Sequence, residues 1–214
     1  MSEVAAAIAA LRRGALAVIP TDTVYGLAAD AADERAGRAL YEAKGREMRR
    51  PTAVLFASVE VLLERVPELP ASAVAAVGAL LPGPVTLVLP NPGRRFGWLN
   101  EERPDALGVR VPAVSGPGKE ILDALGALVA TSANLPGGPD PRVLADVPPE
   151  LVATVAAVVD GGPLHGSPST VIDLTGPEPL VLREGALPAE EALARVGASS
   201  VGHRRTPGAR QRGE

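Results

Sequence analysis

The sequence predicts an α/β protein built on a mixed sheet with flanking helices, and three observations carry that prediction. Short runs rich in β-branched residues alternate with runs of helical apolar spacing, the pattern of strands joined through helices. Several late strand-like runs follow one another with no helix between them, which brings antiparallel pairs into an otherwise parallel pattern. The 23 glycines and 22 prolines fall at the ends of these runs, so they punctuate elements rather than form a low-complexity block.

In chain order, residues 3 to 13 have the apolar spacing of a helix that stops at Gly14, and 15 to 20 (ALAVIP) read as a short buried strand ended by Pro20. Asp33 can cap a helix running to about Lys44, where Gly45 suits the left-handed position just past a helix end. Strands are expected at 52 to 57, 84 to 90, 107 to 112, 127 to 132, 154 to 160, 169 to 174 and 179 to 184. Helices are expected at 59 to 65, 70 to 81, 118 to 125 and 188 to 196. Roughly 200 to 214 (SVGHRRTPGARQRGE) has no apolar period and is rich in arginine, so it reads as a flexible tail behind one domain of 1 to 199.

Composition narrows the chemistry. With 214 residues and 46% hydrophobic content, the chain can bury one sizeable core. A net charge of -4 argues against a protein that coats nucleic acid over its whole surface. The absence of cysteine excludes disulfides, thiolate metal sites and cysteine nucleophiles. His165 and His203 are the two histidines, too few for a multi-histidine metal centre. The first residues carry Glu3 ahead of an apolar run too short to span a membrane, so a cytoplasmic protein without membrane association is expected. What remains is chemistry by positioning and electrostatics.

Three strand ends carry small polar clusters: Thr21-Asp22-Thr23, Ser132-Ala133-Asn134 and Ser167 to Thr170. Ligands of open α/β sheets sit beyond strand ends, although the same residue types are ordinary turn formers. The stretch KGREMRRP, 44 to 51, places four cations at and beyond a helix end. Lys44 there can simply serve the helix dipole, whereas Arg46, Arg49 and Arg50 lie past it, where guanidinium forks suit polyphosphate. Neither GxxxxGK[ST] nor GxGxxG after a strand occurs, so any nucleotide binds by a different arrangement.

PTDTVYGLAADA (20 to 31), YEAKGR (41 to 46), LPGPVTLVL (81 to 89), GVRVP (108 to 112), TSAN (131 to 134) and STVIDL with LVLREG (169 to 185) resemble, in order and spacing, the YrdC/Sua5/TsaC family of threonylcarbamoyl-AMP synthases. The resemblance covers nearly all of 1 to 196. It implies a twisted sheet of the YrdC/RibB type and the joining of L-threonine, bicarbonate and ATP into threonylcarbamoyl-adenylate, with Mg²⁺ assisting. It also implies a functional link to a separate tRNA threonylcarbamoyl transferase complex that makes t6A, and a short single-domain form.

By the same resemblance, Lys44 and Arg46 clamp phosphate, and Arg46, Thr86, Asn134 and Arg183 contact ATP, with Arg50 and Arg142 expected to add cations on the nucleotide side. Thr23, Ser132 and Ser169 contact threonine, and no residue is assigned to a metal. Arg110 is a further candidate, which its strand could equally present to solvent. Four positions depart from the family pattern: Arg50 for an asparagine, Leu55 for a histidine facing threonine, Pro90 for a cation, and Arg142 for a threonine. Two other readings are a module binding double-stranded or structured RNA through the basic loop and tail, and a carbamoyl-adenylate former with a different amino acid.

Overall fold

The computed structural model describes residues 2–45 and 52–202. The chain opens with α1 (Glu3–Arg12), capped by Ser2, whose Oγ accepts from Ala5 N at 3.2 Å. Gly14 then turns the chain with φ of 76°, a conformation that glycine adopts without steric cost. Strands β1 (Ala17–Pro20) and β2 (Tyr25–Asp30) form a hairpin. Asp33 caps α2 (Glu34–Ala43) by accepting from Arg35 N at 2.9 Å, and Gly45 follows with φ of 58°, as the sequence led one to expect.

There follow β3 (Ala53–Phe56), α3 (Val59–Arg65), α4 (Ala71–Leu80), β4 (Val85–Pro90), β5 (Ala106–Arg110), α5 (Gly116–Leu125) and β6 (Ala127–Ser132). The chain continues through α6 (Pro149–Val152), β7 (Ala157–Val158), β8 (Thr170–Asp173), β9 (Leu180–Arg183) and α7 (Ala189–Gly202). All the expected strands and helices are present, several with shifted ends. Four elements were not expected: the short α6, the six-residue β2, and single 3₁₀ turns at Gly97–Leu99 and Leu144–Asp146. The strand β7 is confined to two residues of the seven expected, and α7 continues to Gly202.

Nine strands form a sheet in the order β7-β1-β2-β6-β3-β5-β4-β8-β9. The pairs β1·β7, β3·β5 and β4·β8 are parallel and the other five antiparallel, so the sheet is mixed. Alternation along each strand sorts the two faces. Val18, Leu27, Val129, Val54, Val109, Leu87 and Ile172 face one large core with Leu40 and Tyr41 of α2, Leu62 of α3, Val77 and Leu80 of α4, and Val196 of α7. On the other face Ala17, Ile19, Ala28, Leu128 and Leu55 pack with Ala7 and Leu11 of α1 and Ile121 and Leu122 of α5.

The second face is therefore unevenly covered. Helices α1 and α5 roof β1, β2 and β6, while a cavity of about 360 Å³ opens beside them and takes wall residues from β3, β5, β4, β8 and β9. This gap positions the site.

Candidate active site

Register sets the cavity floor in two rows. Ala130, Ala53, Gly108 and Val88 lie side by side across β6, β3, β5 and β4, a nearly flat shelf of small side chains. A Cβ on Gly108 would come 3.4 Å from Ala53 Cα, so the two backbones pass close together there. The second row holds Leu55, Arg110, Thr86 and Val171, on β3, β5, β4 and β8.

Arg110 is 7% exposed, so its strand does not present it to solvent. Its Nη2 donates to Thr23 Oγ1 at 3.0 Å and to Asp22 Oδ1, while Asp22 Oδ2 accepts from Ala113 N at 2.9 Å. Thr21 Oγ1 lies 3.2 Å from Thr23 Oγ1 and donates to Val24 O at 2.7 Å, fixing the β1–β2 turn that carries Thr23. Burial pushes the Arg110 pKa below its ordinary value, Asp22 opposes that shift, and the nearby charge of Arg183 adds to it. The Nε–H of Arg110 is buried with no hydrogen-bond partner. A guanidinium with a free donor in a cavity wall is equipped to receive an anion.

Across the floor, Thr86 Oγ1 and Ser169 Oγ lie 2.8 Å apart, joining β4 to the segment that enters β8. Arg183 holds that segment: its Nη2 donates to Ser169 O at 2.8 Å and to Ser169 Oγ at 3.2 Å, and its Nε to Ser169 O at 3.1 Å. The packing there demands Gly185, because a Cβ would fall 2.2 Å from Pro168 O.

Lys44 is 5% exposed and does not reach into the cavity as a free cation. Its Nζ donates to Ser132 O at 2.5 Å and also to Asn134 O and Asn134 Oδ1. Ser132 Oγ donates to the same Asn134 Oδ1 at 2.8 Å, and Asn134 Nδ2 to Gly138 O at 2.7 Å. Lys44 and Asn134 thus brace the end of β6 and the loop after it, while Ser132, the last residue of β6, and Asp140 of that loop face the cavity.

The structure thus gathers Thr23, Thr86, Arg110, Ser132, Ser169 and Arg183 around one cavity, with Lys44 and Asn134 behind its wall. Arg142 is not among the wall residues; it is exposed and lies across Gly166, where a Cβ would meet its Nε at 2.3 Å. Arg46 and Arg50 lie outside the described residues. Leu55 is 4% exposed and gives the wall an apolar patch, and Pro90 ends β4 without lining the cavity. Sequence reasoning gave no role to Asp22, Thr52, Asn100 or Asp140; the first could have been sought as the counter-charge that a buried Arg110 requires. Among the described residues no cluster of His, Asp or Glu could hold a metal ion, and no helix is long and apolar enough to cross a membrane.

Comparison with known proteins identifies relatives of the whole fold. A threonylcarbamoyl-AMP synthase of Pyrococcus abyssi (strain GE5 / Orsay) is 38% identical over 192 residues, 87% of this chain and 55% of the relative. One of Xanthomonas oryzae pv. oryzae (strain PXO99A) is 39% identical over 162 residues, 72% of this chain and 83% of the relative. The crystal structure of P. abyssi Sua5 complexed with L-threonine superposes with a TM-score of 0.80 at 36% identity, covering 92% of this chain and 58% of that one. The chain therefore spans little more than half the length of the P. abyssi protein. The family model for Sua5/YciO/YrdC, described as telomere recombination, matches residues 9–185. With six motifs in order, a mixed sheet of the same build and more than three-quarters of its length matched, the chain belongs to the Sua5/YciO/YrdC family.

Proposed function

We propose that this protein is an L-threonylcarbamoyladenylate synthase, a nucleotidyltransferase that consumes L-threonine, bicarbonate and ATP. The observation that carries the reading is Arg110, a buried guanidinium with an unpartnered Nε–H in a cavity walled largely by hydroxyls and apolar side chains, with Arg183 as a second cation. It suits a carboxylate better than a neutral ligand.

In the reaction, the threonine amine forms an N–C bond to bicarbonate carbon, and water leaves with an amine proton. The resulting carbamate oxygen attacks the α-phosphorus of ATP as the bond to the bridging oxygen breaks and pyrophosphate departs. Alignment and charge neutralisation do most of this work, so a wall of hydroxyls and arginines suffices without a nucleophile or a dedicated base. Arg110 and Thr23 receive the threonine carboxylate, with Ser169 and Ser132 alongside. Arg183 and Thr86 face the nucleotide, and Arg46 and Arg50 supply further cations to its phosphates, while Arg142 stands outside the wall across Gly166. Lys44 and Asn134 act by holding the Ser132 loop in place. Magnesium would arrive with the ATP and neutralise phosphate charge, and Asp140 is a carboxylate of the wall that could face it. The product supplies the threonylcarbamoyl group to a tRNA-modifying transferase in the cytoplasm.

The residues that motivated RNA binding, Arg46, Arg49, Arg50 and the tail from Arg204 to Arg212, lie outside the described residues, and the relatives' names support the enzyme. The test is pyrophosphate release with ATP, bicarbonate and a panel of amino acids. Release that requires threonine and bicarbonate together is expected; equal release without threonine would overturn the reading. Release with valine in preference to threonine would assign Leu55 and its apolar neighbours to a different amino acid.

A further inference from the structure

Thr52, the residue before β3, is 4% exposed, and its Oγ1 has no hydrogen-bond partner although it lines the cavity. Nearly all buried polar groups in folded proteins are paired, so an orphan hydroxyl in a cavity wall is a cost to the free protein that a ligand can remove. Arg110 Nε is the other buried side-chain atom of this kind among the described residues. The two share one cavity.

Their spacing follows from register. Leu55 pairs with Arg110 and Val54 with Val109, so Thr52 stands three residues before the Arg110 row, about 10 Å along the chain; it lies just outside β3, where strand alternation no longer assigns it to the core face of Val54, and it lines the cavity. The shelf of Ala130, Ala53 and Gly108 lies between them, with no side chain large enough to interrupt a ligand that spans both. In threonylcarbamoyl-adenylate, five bonds separate the carboxylate carbon from phosphorus, through Cα, N, the carbamoyl carbon and its oxygen. At ordinary bond lengths that zigzag covers about 6 Å. With a hydrogen bond of about 3 Å at each end, a carboxylate held by Arg110 puts the phosphoryl oxygens within reach of Thr52.

We propose that the Thr52 hydroxyl donates a hydrogen bond to a non-bridging oxygen of the nucleotide's α-phosphate, positioning phosphorus for attack by the carbamate. This inference rests on the function proposed above and adds a residue to its site. A hydroxyl is suited to the position because it can donate to P–O⁻ without adding charge beside the attacking carbamate. Thr131, on β6 opposite Leu27, shares the same end of the cavity.

The test compares wild type, Thr52→Val, which keeps the branched shape and loses the hydroxyl, and Thr52→Ser, which keeps the hydroxyl. The readouts are melting temperature of the free proteins, binding of AMP and of adenosine, and the rate of pyrophosphate release at saturating threonine and bicarbonate. Thr52→Val should melt at or above the wild-type temperature, because it removes an unpaired buried hydroxyl. It should bind AMP more weakly and turn over about ten- to a hundredfold more slowly, the range for losing a hydrogen bond to a charged group. Adenosine binding should be unchanged, and Thr52→Ser should stay within a fewfold of wild type throughout.

Wild-type turnover and AMP binding in Thr52→Val would overturn the proposal. So would a lower melting temperature of the free variant, which would assign the hydroxyl to the fold, or equal weakening of AMP and adenosine, which would assign it to the ribose or base. A wild-type protein that releases no pyrophosphate overturns the proposed function and this inference with it; active wild type with an unaffected variant overturns this inference alone.

Discussion

Asp22 and Arg110 form an ion pair whose side chains are 7% and 9% exposed, tying the β1–β2 turn to the end of β5 and aiming Thr23 at the cavity. Buried pairs of this kind contribute little net stability compared with an apolar replacement, yet removing one partner strands the other charge. Asp22→Ala should therefore destabilise the protein by about 3–5 kcal/mol. Urea unfolding would measure it. A change under about 1 kcal/mol, typical of exposed pairs, would mean that water enters the site freely. Asp22 also bonds Ala113 N, so Asp22→Asn, which keeps acceptor capacity there, should lose less than Asp22→Ala.

Lys44 makes a second linkage, between the end of α2 and the loop after β6. Replacing it with methionine leaves part-buried carbonyls without their donor, at a cost of about 1–3 kcal/mol. Amide exchange across 132 to 138 should quicken in the free variant, and the KM for ATP should rise about tenfold, equivalent to ~1.4 kcal/mol. If Lys44 served phosphate alone, exchange in the ligand-free protein would stay at the wild-type rate. That contrast separates a brace from a direct phosphate ligand.

How far the sequence foretold this site depends on which residue is considered. β3, β4, β5 and β6 were visible because AVLF, VTLVLP, ALGVR and ALVATS carry β-branched or leucine side chains between turn residues. β2, YGLAAD, was not, because its small residues fit between packed neighbours and carry little strand propensity of their own. Its identity comes from pairing with β1 and β6, which is tertiary information. Thr23, Thr86, Ser132 and Ser169 were identified through motif resemblance, and the fold gathers them at the cavity. Asp22 and Thr52 were not assigned, since a turn aspartate and a strand-end threonine look ordinary until burial leaves one paired to Arg110 and the other with no partner. Arg110 could face either way on periodicity alone, and its 7% exposure decides the matter.

Gly37 on α2 is a socket for Trp98, the sole tryptophan: a Cβ there would fall 1.9 Å from the Trp98 Cη2 atom. Gly37→Ala should force the indole outward and cost about 1–3 kcal/mol, as overpacking does. Tryptophan emission should shift to the red as the ring gains water. Unchanged emission together with unchanged stability would mean that the loop carrying Trp98 yields without resistance.

Tyr25 supplies a prediction in pH. Its ring is fully buried, and its hydroxyl lies 2.9 Å from Asp160 Oδ1 and 2.8 Å from Gly162 O as donor, and 3.0 Å from Gly161 N as acceptor. Burial raises the phenol pKa above its ordinary 10.0, opposed by the Gly161 N–H and reinforced by the Asp160 carboxylate. The folded state therefore holds a proton that the unfolded chain has released above pH 10.0. The stabilisation from this group is complete below that pH and falls away as pH rises through the folded-state value. Tyr25→Phe should lose about 1–3 kcal/mol near neutrality, from the carbonyl and amide left unpaired. Its stability should then decline less steeply than wild type between pH 9.5 and 11 (roughly the span around a tyrosine pKa), with Tyr41 common to both proteins. Parallel alkaline slopes in urea titrations of the two proteins would show that Tyr25 ionises no differently in the folded state.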